Sequence, residues 1–391
     1  MPISPPASET ASYTPMTQVT LPPLPAHALP VLIGKTQAEL LELFTALGHP
    51  RFRAEQLHHW LYVKGVQDFS AMRNLSKAFQ QELRERFQIG TLRIASKQVS
   101  QDGTVKYLFQ CADGNVIESV LMYFEERGSY ALCLSTQVGC AINCSFCATG
   151  KIGLKRHLSA SEIVEQYTQV QADSGKEVRN VVYMGQGEPL HNYENTVKSL
   201  RILNESCEVG MRRITVSTSG LVDHIDQLAT EEMSITLALS LHAPNNEIRS
   251  QIMPINRRWP LETLIPALER YLASTHRRLT MEYIMIDGIN DQPEHAHQLG
   301  QLIKHLKCNI NLIPYNPMAK DLPRAVDYRR SSNQAIKTFM TILLERYHKK
   351  VTVRLERGVD IDAACGQLAN RYQADKEQQA PSEPVMTAQN V

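Results

Sequence analysis

The stretch GCAINCSFCATG places Cys140, Cys144 and Cys147 in a C-x-x-x-C-x-x-C spacing. Thiolates this close on one loop can converge on a single inorganic centre. In a cubane iron–sulfur cluster, three ligands leave one iron without a protein partner and open to a small chelating molecule. Phe146, between the last two cysteines, would help exclude water. Two plainer readings compete. A structural zinc site wants four ligands in tetrahedral array, and no nearby Cys or His has the usual spacing for the fourth. Buried free thiols would not need this spacing. A cluster is therefore the expected centre.

More polar and small residues recur where apolar runs stop. After VRNVVYM comes GQGEPL, with Gly187 and Glu188; after RITV comes STSG, with Ser217; after ITLAL come Ser240, Leu241 and His242; after NINLIPY comes Asn316. Glycine lets backbone approach a ligand closely, and a carboxylate can bind an ammonium group. Each cluster alone reads as a turn or a cap. Their recurrence at successive strand ends points to one shared ligand site. Cys133 ends the run ALCLST's first half, and Cys365 lies in GVDIDAACGQL, where Asp360 and Asp362 would order the loop and Gly366 would keep it open. Taken singly, both read as ordinary buried cysteines, as do Cys111, Cys207 and Cys308. Glu118, in VIESVLM, alternates with apolar neighbours and taken singly reads as a solvent-facing carboxylate.

The elements that must position these residues follow a rhythm. Short β-rich runs (ALCLST, VRNVVYM, RITVS, ITLALS, LTMEYIMI, NINLIPY and VTVRLE) alternate with helical stretches over 161–172, 193–203, 261–272 and 294–306. Repeated βα units predict an α/β protein with a parallel sheet and outer helices, a full or partial barrel whose chemistry sits at the C-terminal strand ends. Upstream, Thr36 and Glu39 form a capping-box pattern before Leu40, Leu41, Phe44 and Leu47, and further helices are expected over 53–63 and 76–87. Strands are expected over 106–109 and 116–122. The expected organisation is a disordered arm at 1–28, a helical accessory domain at 29–94, a β-rich connector at 95–125, a barrel at 126–372 and a disordered tail at 373–391.

Composition fits such a protein. Of 391 residues 43% are hydrophobic and 21% charged, enough for a packed core. Lys and Arg number 41 against 40 Asp and Glu, so no global basic charge marks a nucleic-acid binder. Any RNA site must be a local patch, with Arg51, Arg53, Lys64, Lys151, Lys155 and Arg156 as candidates or as a plain solvated face. No apolar run is long enough to span a bilayer, and the first residues lack a secretory pattern. Eight cysteines without a signal peptide suit a reducing cytoplasm.

The cysteine triplet is the signature of the radical S-adenosylmethionine (SAM) superfamily. Together with Cys133, GEPL, STSG, SLHAPN, NLIPYNP and DIDAACGQL, in this order, it makes the chain resemble the RlmN/Cfr family of RNA methyltransferases from about residue 30 to 372. The resemblance implies a partial (β/α)6 barrel with a small N-terminal helical domain. It implies a 4Fe–4S cluster on Cys140, Cys144 and Cys147, and SAM held by Gly187, Glu188, Ser217, Ser240, Leu241, His242 and Asn316. It makes Cys365 the methyl carrier, Cys133 its resolving partner and Glu118 the base. The implied reaction forms 2-methyladenosine at adenosine 2503 of 23S rRNA and at adenosine 37 of some tRNAs. A 5′-deoxyadenosyl radical and an S-methylcysteine carry the methyl group, because carbon 2 of adenine is too electron-poor to attack SAM directly. The implied partners are 23S rRNA, tRNA and an electron donor such as flavodoxin, and the implied state is a monomer. The sister activity at carbon 8, and a non-catalytic iron–sulfur RNA-binding protein, are the alternatives. One departure stands out: Gln186 occupies the place where Met is commoner, which predicts a changed SAM contact.

If the triplet holds a cluster, reconstituted protein shows an iron–sulfur absorption band, and Cys144→Ala loses it together with SAM cleavage. Full cluster binding by a triple alanine variant at 140, 144 and 147 would refute the assignment.

Overall fold

The computed structural model describes residues 29–318, 322 and 324–369; the expected arm and tail lie outside them. Near the N-terminus stand α1 (Gln37–Ala46), α2 (Arg51–His58) and α3 (Lys77–Arg86). Both halves of the Thr36–Glu39 capping box form, and Ser76 caps α3 through the Phe79 amide. After α2 the chain makes one π-helical turn, His59–Val63. Leu40, Phe44, Leu57, Leu61, Phe79 and Leu83 form the core of this bundle.

Ten strands build one sheet. They are β1 (Arg93–Val99), β2 (Val105–Gln110), β3 (Val116–Phe124), β4 (Ser129–Cys133), β7 (Val178–Tyr183), β8 (Ile214–Thr218), β9 (Thr236–Ser240), β10 (Leu279–Met285), β11 (Cys308–Pro314) and β12 (Lys350–Val353), in that spatial order. The short β5 (Gln137–Val138) and β6 (Arg156–His157) pair separately. From β1 to β4 the pairing is antiparallel, and from β4 through β12 it is parallel. The parallel part is the partial barrel. Its helices are α4 (Ala148–Ile152), α5 (Ala160–Ser174), α6 (Tyr193–Glu205), α7 (Val222–Leu228), α8 (Asn246–Ile252), α9 (Leu261–Thr275), α10 (Pro293–Leu302) and α11 (Asn333–Tyr347). Strands covered on both faces become nearly continuous apolar runs, as in β10, where six of seven residues are buried.

The β-rich segment before the barrel extends the barrel sheet through the β3–β4 pair rather than standing apart. The N-terminal helices dock on the barrel through Val164 of α5 and Ile202 of α6. Glu165, wholly buried on α5, accepts the Thr91 and Leu92 amides at 2.8 and 2.7 Å and the Ser161 hydroxyl. A side chain at Gly90 would fall 2.3 Å from its carboxylate. No helix among the described residues is long and apolar enough to cross a membrane.

Burial raises the Glu165 carboxyl to about 7, against the backbone and hydroxyl donors that lower it. A carboxyl raised on folding binds its proton more tightly in the native state, so its stabilisation is full below the unfolded value and lost as pH rises toward 7. Melting temperature should therefore fall between pH 5 and 8 more steeply in the parent protein than in Glu165→Gln. Parallel slopes in a thermal melt series would show that Glu165 does not titrate on unfolding.

Candidate active site

The C-terminal strand ends surround a cavity open to solvent. Cys140, Cys144 and Cys147 line it, as do Gly187, Glu188, Ser217, Ser240, His242 and Cys365. These residues come from five separate sequence segments and meet in one place, as the barrel requires.

The cysteine loop is held by backbone geometry. Gly139 has φ +75°, and a Cβ there would lie 1.7 Å from the Gly153 carbonyl oxygen, so only glycine fits. The Cys140 amide donates to that same carbonyl at 3.1 Å. Cys147 precedes α4, and α8 packs on the loop through Phe146, Ile252 and Met253. The Ser145 amide donates to the Ile252 carbonyl at 2.9 Å. Burial raises all three thiols, Cys140 to about 12. Backbone amides of Ile142 and Asn143 act against this at Cys140, and those of Thr149 and Gly150 at Cys147. The donor set fits an iron–sulfur cluster: three sulfurs, apolar surroundings and amides aimed at the sulfurs. Among the described residues no three such side chains gather around one point that a single ion would fill. A cubane takes one thiolate per iron and asks for separated sulfurs.

The strand ends that line the cavity are interlocked. Gly187 has φ +102°, and a Cβ there would meet Gln137 at 2.6 Å. The Gln137 amide oxygen accepts the Glu188 N–H at 2.9 Å. Glu188 accepts the Ser219 amide at 2.7 Å and the Leu190 amide at 3.1 Å, which ties GEPL to STSG. Burial raises its carboxyl despite these donors. The Ser217 and Ser240 hydroxyls stand 3.4 Å apart. His242 sits at φ +58° with its ring edge-on to Phe146. Burial, then the charge of Arg249, pushes His242 down to about 3, so it is neutral. Its Nδ1 accepts the Ile284 amide at 3.1 Å, which leaves the proton on Nε2. Arg249, fully buried, donates to the Ser219 and Leu241 carbonyls at 2.6 and 3.2 Å and to the Asn256 side chain at 2.9 Å.

The Cys365 loop is fastened beside the cluster loop. The Ala148 amide donates to the Gly366 carbonyl and the Thr149 hydroxyl to the Leu368 carbonyl, both at 2.8 Å. Gly366 adopts φ +84°, and the Asn316 amide group reaches the Cys365 carbonyl at 3.4 Å. Asp360 orders the far side by accepting from the Ser100 hydroxyl and the Gln101 amide.

Four expected residues do not line the cavity. Leu241 points its side chain into the main core. Asn316 is occupied by the Cys365 loop. Cys133 is buried among Val120, Ala131, Ala363 and Leu368, its thiol pushed up to about 12 by burial and by Cys365, with Arg354 opposing. Cys133 and Cys365 are both free thiols. Glu118 is not a solvent-facing carboxylate: it is buried and ion-paired to Lys106 at 3.2 Å, on the same sheet face as Val120 and Cys133. Gln186 turns away from the cavity. It is fully buried, and its side-chain oxygen accepts the Glu118 amide at 3.3 Å. Arg156 is structural, bound to Asp113 and to Glu162 at 2.7 Å. The cavity also includes Glu282 and Arg354, which sequence reasoning missed. A lone acid in LTMEYIMI and a lone base in VTVRLE were the available signals.

Comparison with known proteins agrees with this geometry. Residues 134–299 match the radical SAM superfamily, and residues 31–89 match the ribosomal RNA large subunit methyltransferase N-terminal domain. A curated protein of Geobacillus kaustophilus, a probable dual-specificity RNA methyltransferase RlmN, is 47% identical over 354 residues, covering 89% of this chain and 93% of the relative. A protein of the same description from Trichormus variabilis is 42% identical, covering 92% and 99%. The chain belongs to the RlmN family. A crystal structure of a radical SAM methyltransferase from Sphaerobacter thermophilus has 45% identity and a TM-score of 0.82 over 87% of this chain and 99% of that one. The family's cofactors are a 4Fe–4S cluster and SAM, and the residues around the cavity suit both.

Because Gly187 permits both the turn and the approach to Gln137, Gly187→Ala should displace Glu188. SAM affinity is expected to drop roughly tenfold or more, the weight of one charge-assisted hydrogen bond. Calorimetric titration checks this, with iron content unchanged from the parent protein.

Proposed function

We propose that this chain methylates carbon 2 of adenosine in RNA, at adenosine 2503 of 23S rRNA and adenosine 37 of some tRNAs, through an S-methylated Cys365. One observation carries the reading: Cys365 faces the same cavity as the three cluster cysteines, on a loop hydrogen-bonded to theirs.

The residues divide the work as follows. Cys140, Cys144 and Cys147 hold the cluster, which supplies the electron for radical generation from SAM. Gly187, Glu188, Ser217, Ser240 and His242 line the cavity and would hold SAM; Leu241 would contribute through its backbone and Asn316 through the Cys365 loop. Neutral His242 offers Nε2–H as a donor. Cys365 accepts a methyl group on sulfur and keeps it close to the reacting base. Glu118, held by Lys106 on the face that carries Cys133, takes the carbon-2 proton. Once the Cys365-borne carbon is bonded to carbon 2, Cys133 attacks the Cys365 sulfur and breaks its bond to that carbon, which takes up a proton as the product methyl group; the two sulfurs are left as a disulfide for a cellular reductant to reopen. The raised Cys133 thiol needs its proton removed before it attacks, and Arg354 is the charge beside it that favours the thiolate.

An adenine inside a helix cannot enter a barrel mouth, so the substrate base is splayed out from a loop or single strand. The helical segment over 29–94 is the proposed accessory grip on RNA, with the barrel over 126–372 as the catalytic unit. Arg51 and Arg53 stand on α2, although Arg51 pairs with Glu55 and Arg53 stacks on Phe52 and Phe79. Flavodoxin is the proposed type of electron donor, and the protein acts as a monomer in the cytoplasm.

The test is a stalled reaction. Cys133→Ala should load its methyl group and attack RNA, then stop. A nuclease-sensitive, SDS-resistant protein–RNA species should accumulate, and none should form with Cys133→Ala/Cys365→Ala. Mass spectrometry of digested RNA from the parent enzyme should find 2-methyladenosine, not the 8-methyl isomer. Normal turnover by Cys133→Ala would remove it as the resolving thiol.

A further inference from the structure

The cavity contains a buried polar atom with nothing to bind. Glu282, on β10, is 3% exposed. One of its oxygens, Oε1, accepts the Asn311 amide group at 2.9 Å. The other, Oε2, is buried and has no hydrogen-bond partner among the described residues. Unsatisfied buried acceptors are rare because they lose water without replacement, so this oxygen marks the place of a missing donor.

The sheet register says which part of a ligand would bring it. Glu282 lies directly opposite Ser240 on β9 and opposite Asn311 on β11. The Ser240 hydroxyl faces that of Ser217 on β8. Hydroxyl, carboxylate and amide groups thus form one band across four neighbouring strands. Glu188 and the cluster cysteines stand on one side of the cavity, suited to the ammonium and carboxylate of an amino acid. Two residues farther along β10 and β11, Ile284 and Ile313 line the wall, an apolar surface for a flat base. Between an amino-acid end and a base, SAM carries a sugar diol. Its sulfonium has no hydrogen to donate, and Glu188 answers its ammonium.

We propose that Glu282 binds SAM, with Oε2 accepting a hydroxyl of the ribose. Arg354, which lines the same cavity, offsets the cost of burying the carboxylate there. The proposal rests on SAM as the cofactor and not on the identity of the RNA substrate.

The experiment is an anaerobic calorimetric cycle on the cluster-loaded protein, with SAM, its 2′-deoxy and 3′-deoxy analogues and S-adenosylhomocysteine. Glu282→Ala should weaken SAM by roughly tenfold or more, as for a hydrogen bond to a charged group. The parent protein should lose a similar factor with one deoxy analogue, and Glu282→Ala should lose nothing further with that analogue. S-adenosylhomocysteine shares the ribose and should suffer the same loss. Unchanged SAM affinity, or the same analogue penalty in parent and variant, overturns the proposal. A loss confined to SAM also overturns it, since that assigns Glu282 to the sulfonium. If Glu282→Ala fails to hold its cluster, Glu282→Gln, which keeps the side-chain volume, is read by the same criteria. No RNA enters the assay, so failure here leaves the RNA reading standing, and failure of that reading leaves this result intact.

Discussion

Arg249 carries a full charge inside the protein and spends its hydrogen bonds on neutral oxygens. Those oxygens belong to STSG, to SLH and to Asn256 just after α8. Desolvating a guanidinium is costly unless its donors are matched, so these loops must keep their places together. The same short helix, α8, rests on the cysteine loop through Phe146 and Ser145. The cavity-lining strand ends and the cysteine loop are therefore fixed by one buried cation and the helix that bears it. Burial lowers Arg249 only to about 10, so it stays charged across the physiological range and the constraint does not switch with pH.

Much of this was legible in the sequence. Alternation of apolar runs with helical stretches marked the parallel barrel, and every expected barrel strand is present within a few residues. The Thr36–Glu39 and Ser76 caps placed two helices because capping is local chemistry. The helix α11 was not foreseen, although Ile336, Phe339 and Leu343 lie at helical spacing behind Ser332. Its apolar face is narrow, and Lys337, Thr338 and Glu345 dilute the pattern.

The site was less legible where a side chain's direction mattered. Motif position is one-dimensional, whereas facing a cavity depends on pleat and register. Ser240 and His242 point inward and Leu241 between them points to the core. Glu118 looked solvated because its neighbours alternate, but the outer cover of β3 comes from segments distant in sequence. Its partner Lys106 sits on the adjacent strand, and only antiparallel pairing brings the two together. Glu282 was hidden for the opposite reason: a single acid in an apolar run has no motif around it, and its meaning comes from Ser240 and Asn311 on either side.

The loop bearing Cys365 is tied at both ends. On one side Gly366 and Leu368 hold the cluster loop; on the other, Asp360 and Gly358 reach Ser100, Gln101 and Asp102 in the β1–β2 turn. Carrier groups on long tethers, such as lipoyl arms, swing between stations. The Cys365 loop has no such tether. In the proposed reaction, then, donor and recipient would each come to the sulfur in turn, and the cavity would have to admit two visitors over one anchored atom. Turnover would become a matter of traffic through the barrel mouth, where a tighter grip on either visitor slows the other.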